Sequence, residues 1–502
     1  MTLFKKIILL VFMAGIVASC DNVVDVDQPG VLNADAAYQT VGDLEQGLLG
    51  VYAQLDVSSE IRFNASFTDE VSIGIENGGQ DVGGLYNFVL NSGTPGPEAI
   101  WTTNYDAINA ATRLIAAAEN IEPSGDYNSI LGQAYAIRAF AHMKLMTYFA
   151  EDMTDNSSLG VIAVSEVPEI TDAPERSTTG EVYTLISNDL SEAESLIPSS
   201  LSETTRFTQD AITAMRARIA AYRGNYGTAE TESQELIDKY DLADQQEYLS
   251  MFRNDTDGEV IFKLDRTVGD PYDGQGTTAN ATAGGWAGAV FAFTGPDIAG
   301  APYLEMGRTL YNLLDQADIR YDVNVSSSSQ FDSGYPNNTT AESFSNNDII
   351  PIDKYRGSVP GENQPLMNDL KIFRVSEMLL INAEAEVAEN GDLGEAATLI
   401  KQLRDARYGS AQPLPTYNSE QEAYADILEE RRRELAFEGH RWVDLGRLGA
   451  RANAGIDREE FDCTLYGACQ GAPVPGNDHR YRFPIPLVEL NGNSEITQNP
   501  EY

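Results

Sequence analysis

The sequence predicts a mostly α-helical protein in which helix pairs form a scaffold, interrupted by a loop-rich insertion carrying short strands. Three observations carry that expectation. Long stretches in both halves repeat apolar residues at helical spacing. Two of the helix pairs are joined by short turns that contain Gly. Between those pairs, over about residues 241–370, helical periodicity gives way to Gly, Asn, Ser, Asp and aromatic residues.

The N-terminus comes first. Lys5 and Lys6 precede an apolar run from Ile7 to Ala18. Such a run is too short for a helix to cross a ~30 Å hydrocarbon core. A basic start, a short apolar run and small exit residues read as a secretory leader over residues 1–19. The exit, Val17-Ala18-Ser19-Cys20, places a small residue just before Cys, as bacterial lipoproteins do. Cys20 is therefore expected to be lipidated and to become the first residue after cleavage. Residues 20–31 form the anchor and an acidic, aperiodic tether, and 32–502 a single domain. Acyl chains contribute about 0.8 kcal/mol per buried CH₂, so several hold a protein to a membrane.

The helices follow in order. Leu44, Leu48, Tyr52 and Leu55 recur at helix spacing. Trp101–Glu119 and Tyr127–Phe149 are Ala-rich and apolar-periodic, broken by Glu122-Pro123-Ser124-Gly125. Thr178 with Glu181 makes a capping box. It opens a helix whose buried face is Val182, Ile186, Leu190, Ala193 and Ile197, stopped at Pro198. Ala211–Tyr222 and Ala229–Tyr240 pair through Gly224-Asn225-Tyr226. Val375–Glu389 and Glu395–Arg407 pair through Gly391-Asp392-Leu393. In both junctions an Ala follows three residues on, Ala229 and Ala396. Gly permits the tight turn and Ala lets the helices approach, as in tetratricopeptide-like pairs. The scaffold thus covers about 32–240 and 371–450, with a C-terminal segment 451–502. Within the insertion, Glu259–Leu264 reads as a strand and Gly284–Gly288 as a loop.

Composition and charge exclude several functions. With 77 Asp+Glu against 33 Lys+Arg, the formal charge is -44. Nucleic acids need clustered cations, so none is expected as a partner. Losing residues 1–19 removes two Lys and no carboxylate, leaving about -46; that charge also disfavours a polyanionic ligand. Three Cys and three His argue against a multi-thiolate metal centre, and no metal or cofactor is expected.

Chemical motifs fail one by one. There is no G-x-S-x-G, H-E-x-x-H or Walker A loop. Gly274-Gln275-Gly276-Thr277-Thr278-Ala279 lacks the strand and helix that a dinucleotide site needs. Asp255-Thr256-Asp257-Gly258 puts Arg253 and Leu264 at calcium-ligand positions, so it reads as a turn. Arg431-Arg432-Arg433 lies among Glu429, Glu430, Glu434 and Glu438, and reads as an ion-paired helix. His142, His440 and His479 have no ligand spacing and read as structural. With Cys20 acylated, Cys463 and Cys469 are the remaining thiols of a secreted chain, and a disulfide between them is expected.

Several of these segments together resemble one family. Residues 427–448, from Ile427 through Glu430-Arg431-Arg432-Arg433-Glu434 and Phe437-Glu438-Gly439 to Arg441-Trp442 and Asp444-Leu445, match the E-R-R-x-E-L-x-F-E-G-x-R-W-x-D-L signature of SusD/RagB lipoproteins. Pro484-Ile485-Pro486 and Gln498-Asn499-Pro500 with Tyr502 match its closing motifs, with Glu501 where the family usually has Gly. Ala383-Glu384-Ala385, Arg404–Arg407, Arg138-Ala139 and Cys20 also match. The resemblance implies a SusD-like fold with four tetratricopeptide-like pairs. It further implies a non-enzymatic, lipid-anchored outer-membrane protein at the cell surface. Such a protein captures oligosaccharides and passes them to a SusC-like TonB-dependent outer-membrane barrel. A peptide-binding uptake lipoprotein of the same family is the alternative. A surface glycoside hydrolase and a purely structural repeat adaptor are the readings from other classes.

Sugar rings stack on aromatic faces, and their hydroxyls need polar partners. The expected ligand residues are therefore Tyr272, Trp286 and Tyr303 in the insertion, with Tyr86 and Asn91 in the loop ahead of Trp101. Trp286, flanked by Gly285 and Gly288, is expected to leave its ring face open. Trp101 and Trp442 are expected in the core.

Overall fold

In a computed structural model, the chain is mostly helical with two small two-stranded sheets. The structure describes residues 37–79, 83–169, 172–267, 269–270, 285–331, 348–357, 365–464 and 467–502. Cys20, the leader, the tether and Tyr272 lie outside them. Among the described residues, no helix is long and apolar enough to cross a membrane.

Helix α1 (Val41–Tyr52) opens on a capping box between Thr40 and Asp43. Helix α2 (Ser58–Phe67) and strand β1 (Val71–Ile73) follow. Helix α3 (Pro95–Ala118) begins earlier than the apolar pattern from Trp101 suggests. Its first turn carries Pro, where the backbone N–H has no helical partner to lose. Helix α4 (Tyr127–Phe149) is central. Ala134, Ala136, Ala139 and Ala141 are all buried, and these small side chains let α3 and α5 (Thr179–Leu196) pack on it. The expected Thr178–Glu181 capping box opens α5.

Helices α6 (Gln209–Tyr222) and α7 (Tyr226–Lys239) form the first expected pair. The insertion then contributes α8 (Gln245–Met251), β2 (Val260–Leu264), β3 (Leu304–Met306), α9 (Arg308–Tyr311), α10 (Ile319–Asn324) and β4 (Leu370–Arg374). Helices α11 (Val375–Ala385), extended by a π turn over Glu386–Asn390, and α12 (Leu393–Tyr408) form the second pair. Gly224 and Gly391 sit at φ +72° and +64°, a left-handed conformation that costs Gly little. Ala229 and Ala396 are buried at the close approaches.

The two pairs, far apart in sequence, meet in space. Helix α7 packs on α11, and Asn382 Nδ2 donates to Ser233 Oγ (3.0 Å). Strands β2 and β4 explain how. They pair antiparallel from Val260↔Arg374 to Leu264↔Leu370, so the insertion leaves and rejoins the scaffold side by side. Strands β1 and β3 pair from Val71↔Met306 to Ile73↔Leu304, which ties the insertion to the first helices.

Helices α13 (Glu420–Glu434) and α14 (Arg441–Ala452), with short α15 (Glu460–Thr464) and α16 (Leu487–Gly492), complete the chain. Trp101 and Trp442 are buried, as expected. The Trp442 ring lies against Phe63, Tyr148 and Phe483, and its indole N–H donates to the Arg480 carbonyl. Cys463 and Cys469 form the expected disulfide. His142 is buried: Nδ1 bonds the Arg138 carbonyl, Nε2 accepts from Val164 N–H, and burial pushes its pKa down to about 4.

The Arg-Arg-Arg helix is ion-paired, but inward rather than along a solvated face. Glu434 accepts from Arg374 (2.8 Å), Arg407 (3.0 Å) and Arg320 (3.3 Å). Glu259, at the foot of β2, binds the same Arg374 and Arg407. Glu430 accepts from Arg320 and Arg404, Arg431 pairs with Asp444, and Arg432 and Arg441 pair with Asp69. Burial alone would raise the Glu430 pKa. The guanidiniums of Arg320, Arg404 and Arg433 outweigh it and hold the group down at about 2. Taking such charges out of water is costly, so each must be met by a partner. This hub joins α12, α13, β2, β4 and α10, and so holds the insertion on the scaffold.

Candidate ligand-binding face

The face carrying the loops is organised around Tyr303, just before β3. Gly74 N–H donates to the Tyr303 carbonyl (3.0 Å) and Asn77 Nδ2 to the same oxygen (3.2 Å). A Cβ at Gly74 would lie 2.4 Å from the Pro302 oxygen, so only Gly permits this approach. On the other side, Tyr303 N–H donates to Phe291 O, and Phe293 N–H to Ala301 O. The loop after β1 and the 291–301 turn are thereby fixed to one residue.

The side chains at this point are of mixed character. Phe293 is half-buried and meets the Tyr303 ring edge-on, with centroids 5.5 Å apart. The Arg62 guanidinium, from α2, lies 5.5 Å from the Tyr303 ring centre and 3.4 Å from its hydroxyl. Ile75 is 52% exposed beside them in sequence to Asn77. Underneath, Glu305 bridges two segments: one oxygen accepts from Ile75 N–H (2.8 Å) and the other from Ile350 N–H (3.2 Å). Burial raises its pKa to about 7 against those two hydrogen bonds. An aromatic edge and a guanidinium on a hydrogen-bonded frame are groups of the kind that hold a polyhydroxylated ligand. No sequence signal marks Arg62 or Phe293. Arg62 lies in a helix, and Phe293 is one aromatic among many.

The residues expected from sequence fare differently. Trp286 does not present an open ring: it is 7% exposed and packs with Ala289, Ala292 and Leu366. Its indole N–H donates to Thr267 O, while Arg266 bonds Gly285 O and pairs with Asp56 (2.9 Å). Flanking glycines did not expose the ring, because a Gly without a side chain also lets neighbours close over it. At Gly288 an added Cβ would come within 2.6 Å of Leu366 O. Tyr303 is likewise buried, and serves as the frame rather than as a platform. Tyr86 is buried too: its hydroxyl donates to Asp462 O, and Arg458 stacks 3.8 Å from its ring centre. Asn91 is exposed but occupied in a turn, accepting from Gly93 N–H and leading into α3. Among the described residues, no group of three or more His, Cys, Asp or Glu is arranged to hold a metal.

Comparison with known proteins agrees along the length of the chain. SusD-like protein P2 of Formosa agariphila is 27% identical over 525 residues, covering 99% of each chain. A SusD superfamily protein from Bacteroides thetaiotaomicron superposes with a TM-score of 0.76 at 24% identity, covering 92% of this chain and 100% of that one. A laminarin-binding SusD-like protein superposes with a TM-score of 0.68 at 21% identity, covering 93% and 100%. Residues 97–502 match the model of the SusD family. Fold, length and signature agree, and the chain belongs to the SusD family.

Proposed function

We propose that this protein is a lipid-anchored binding protein of the outer-membrane surface. It captures an oligosaccharide and delivers it to a SusC-like TonB-dependent barrel, without catalysis. The observation that carries the glycan reading is the half-buried Phe293 ring and the Arg62 guanidinium, which both meet Tyr303 on the loop-bearing face. It is supported by a fold shared along its length with a laminarin-binding protein. Ligand contact falls on Phe293 and Arg62, with Tyr303 and Trp286 holding the frame. Cys20 carries the lipid.

The test is calorimetric titration of the purified chain with laminarin, other neutral glycans, a uronate polymer and a peptide digest. Reducing ends are counted before and after. Saturable binding of a neutral glycan that stays intact is the expected result. Binding of peptide alone would move the reading to peptide uptake, and shortening of the glycan would make the protein a hydrolase. Fatty-acid labelling of the chain and of Cys20→Ala tests the anchor. Co-purification of a barrel in detergent tests the partner.

A further inference from the structure

Away from the loop face, a cleft of about 310 Å³ opens on the helical scaffold. It is built on the α6–α7 junction whose Gly224-Asn225-Tyr226 turn stands out in the sequence. The end of α4, helix α14 and residues 476–482 form its other walls. Three tyrosines line it: Tyr481, whose hydroxyl donates to the Val474 carbonyl, and Tyr222 and Tyr226, at 6% and 9% exposure. Among the described residues, the hydroxyls of Tyr222 and Tyr226 have no hydrogen-bond partner. Tyr222 is held by the Arg447 guanidinium over its ring (4.9 Å), and Tyr226 by Arg451 (5.3 Å). The buried Nε of Arg482, on the opposite wall, also lacks a partner. The two hydroxyls open onto the cleft, and a buried polar atom without a partner, such as Arg482 Nε, is unusual in a folded protein and points to water or a ligand.

The charges around the cleft select the ligand. The lining carries Arg447, Arg451 and Arg482 and also Glu151, Asp152 and Asp478; Arg447 is already paired with Glu384 and Asp444, and Asp478 with Arg480. A phosphate or carboxylate would find Arg447 already paired and would be repelled by the acids, and an apolar molecule would leave both hydroxyls unmet. A neutral polyol offers a donor and an acceptor at every oxygen, which is what two phenols, an Nε–H and the carboxylates of the lining can use. The volume lies at the small end of ligand sites, which run from roughly 300 to 1,000 Å³. We infer that this cleft is a second, scaffold-side binding site for a neutral sugar of one or two rings, separate from the loop face.

The test uses the purified chain carrying Phe293→Ala and Arg62→Ala, titrated with laminaribiose, maltose and lactose by calorimetry and ligand-observed NMR. Glucuronate and inorganic phosphate form the anionic arm. The expected result is binding of at least one neutral disaccharide. That binding should weaken at least fivefold when Tyr222→Phe and Tyr226→Phe are added, with unchanged circular dichroism. Absence of any binding at tens of millimolar would mean the cleft holds only water, and would overturn the inference. So would binding indifferent to the two Tyr→Phe changes, or a preference for the anions. Because the loop-face substitutions are present throughout, this outcome is independent of the one that tests the proposed function.

Discussion

The hub around Glu434 and the loop face around Phe293 use the same kinds of residue to opposite ends. In the hub, Arg320, Arg374 and Arg407 are fully enclosed, and each is met by two or more carboxylate oxygens of the chain. On the loop face, Arg62 meets a phenol, and Phe293 and Ile75 keep part of their surface open to solvent. A charge buried with its partners is committed to the fold, because removing either partner strands the other in a medium of low dielectric. A half-exposed ring is less committed to the fold, and it is on such a ring that ligand contact is proposed. The difference teaches that the residues most diagnostic of the family hold the molecule together. The residues proposed to meet the ligand lie where the sequence carries no signature.

The comparison can be broken most directly at the hub. Glu434→Gln leaves Arg374 and Arg407 short of a counter-charge, and is expected to cost roughly 3–5 kcal/mol in urea unfolding. A loss under 1 kcal/mol would mean that the hub is dispensable. The next effect concerns the frame under the loop face. Glu305 has a folded pKa raised to about 7 from 4.5. Its contribution to stability is therefore complete below about pH 4.5 and declines as pH rises through 7, because the unfolded chain releases a proton that the folded chain keeps. Gln cannot titrate. Relative to Glu305→Gln, the native protein should lose on the order of 3 kcal/mol between pH 4.5 and 7. A pH-independent offset will arise from the amide N–H facing a backbone donor. A difference constant across that range would rule out a protonated Glu305.

Smaller effects sharpen the contrast. Phe293→Ala is expected to weaken glycan binding roughly tenfold or more, by analogy with aromatic stacking worth about 1–3 kcal/mol. Its melting temperature should change little. Unaltered affinity, or a collapse in stability, would remove Phe293 from the ligand face. The smallest effect is at Glu501, which holds φ +75°, a conformation that Gly adopts without strain. Glu501→Gly should gain a few tenths of a kcal/mol, since relief of left-handed strain exceeds the added freedom of the unfolded chain. A loss would mean that its contacts to His479 and Arg482 outweigh the strain.

Legibility in the sequence followed the range of the interaction. Helix α4, the Thr178–Glu181 box and both Gly junctions were readable because periodicity, capping and turn conformation are set within a few residues. The burial of Trp286 is not legible locally because exposure depends on what closes over a residue, here Leu366 and the 287–290 turn. Arg431 and Arg432 were seen as paired, but their burial against Asp444 and Asp69 was not visible from neighbours one turn away.

By itself the sequence determined the helical class, the pairing of Cys463 with Cys469 and the family. Each rests on local periodicity or on a run of residues whose identity suffices. Only the tertiary structure decided that α7 meets α11 across the insertion. It also decided that Glu434 and Glu259 share two arginines, and which aromatic rings stay open. These depend on contacts between residues far apart in sequence, where the free energy is set by burial and by partners that no local pattern specifies.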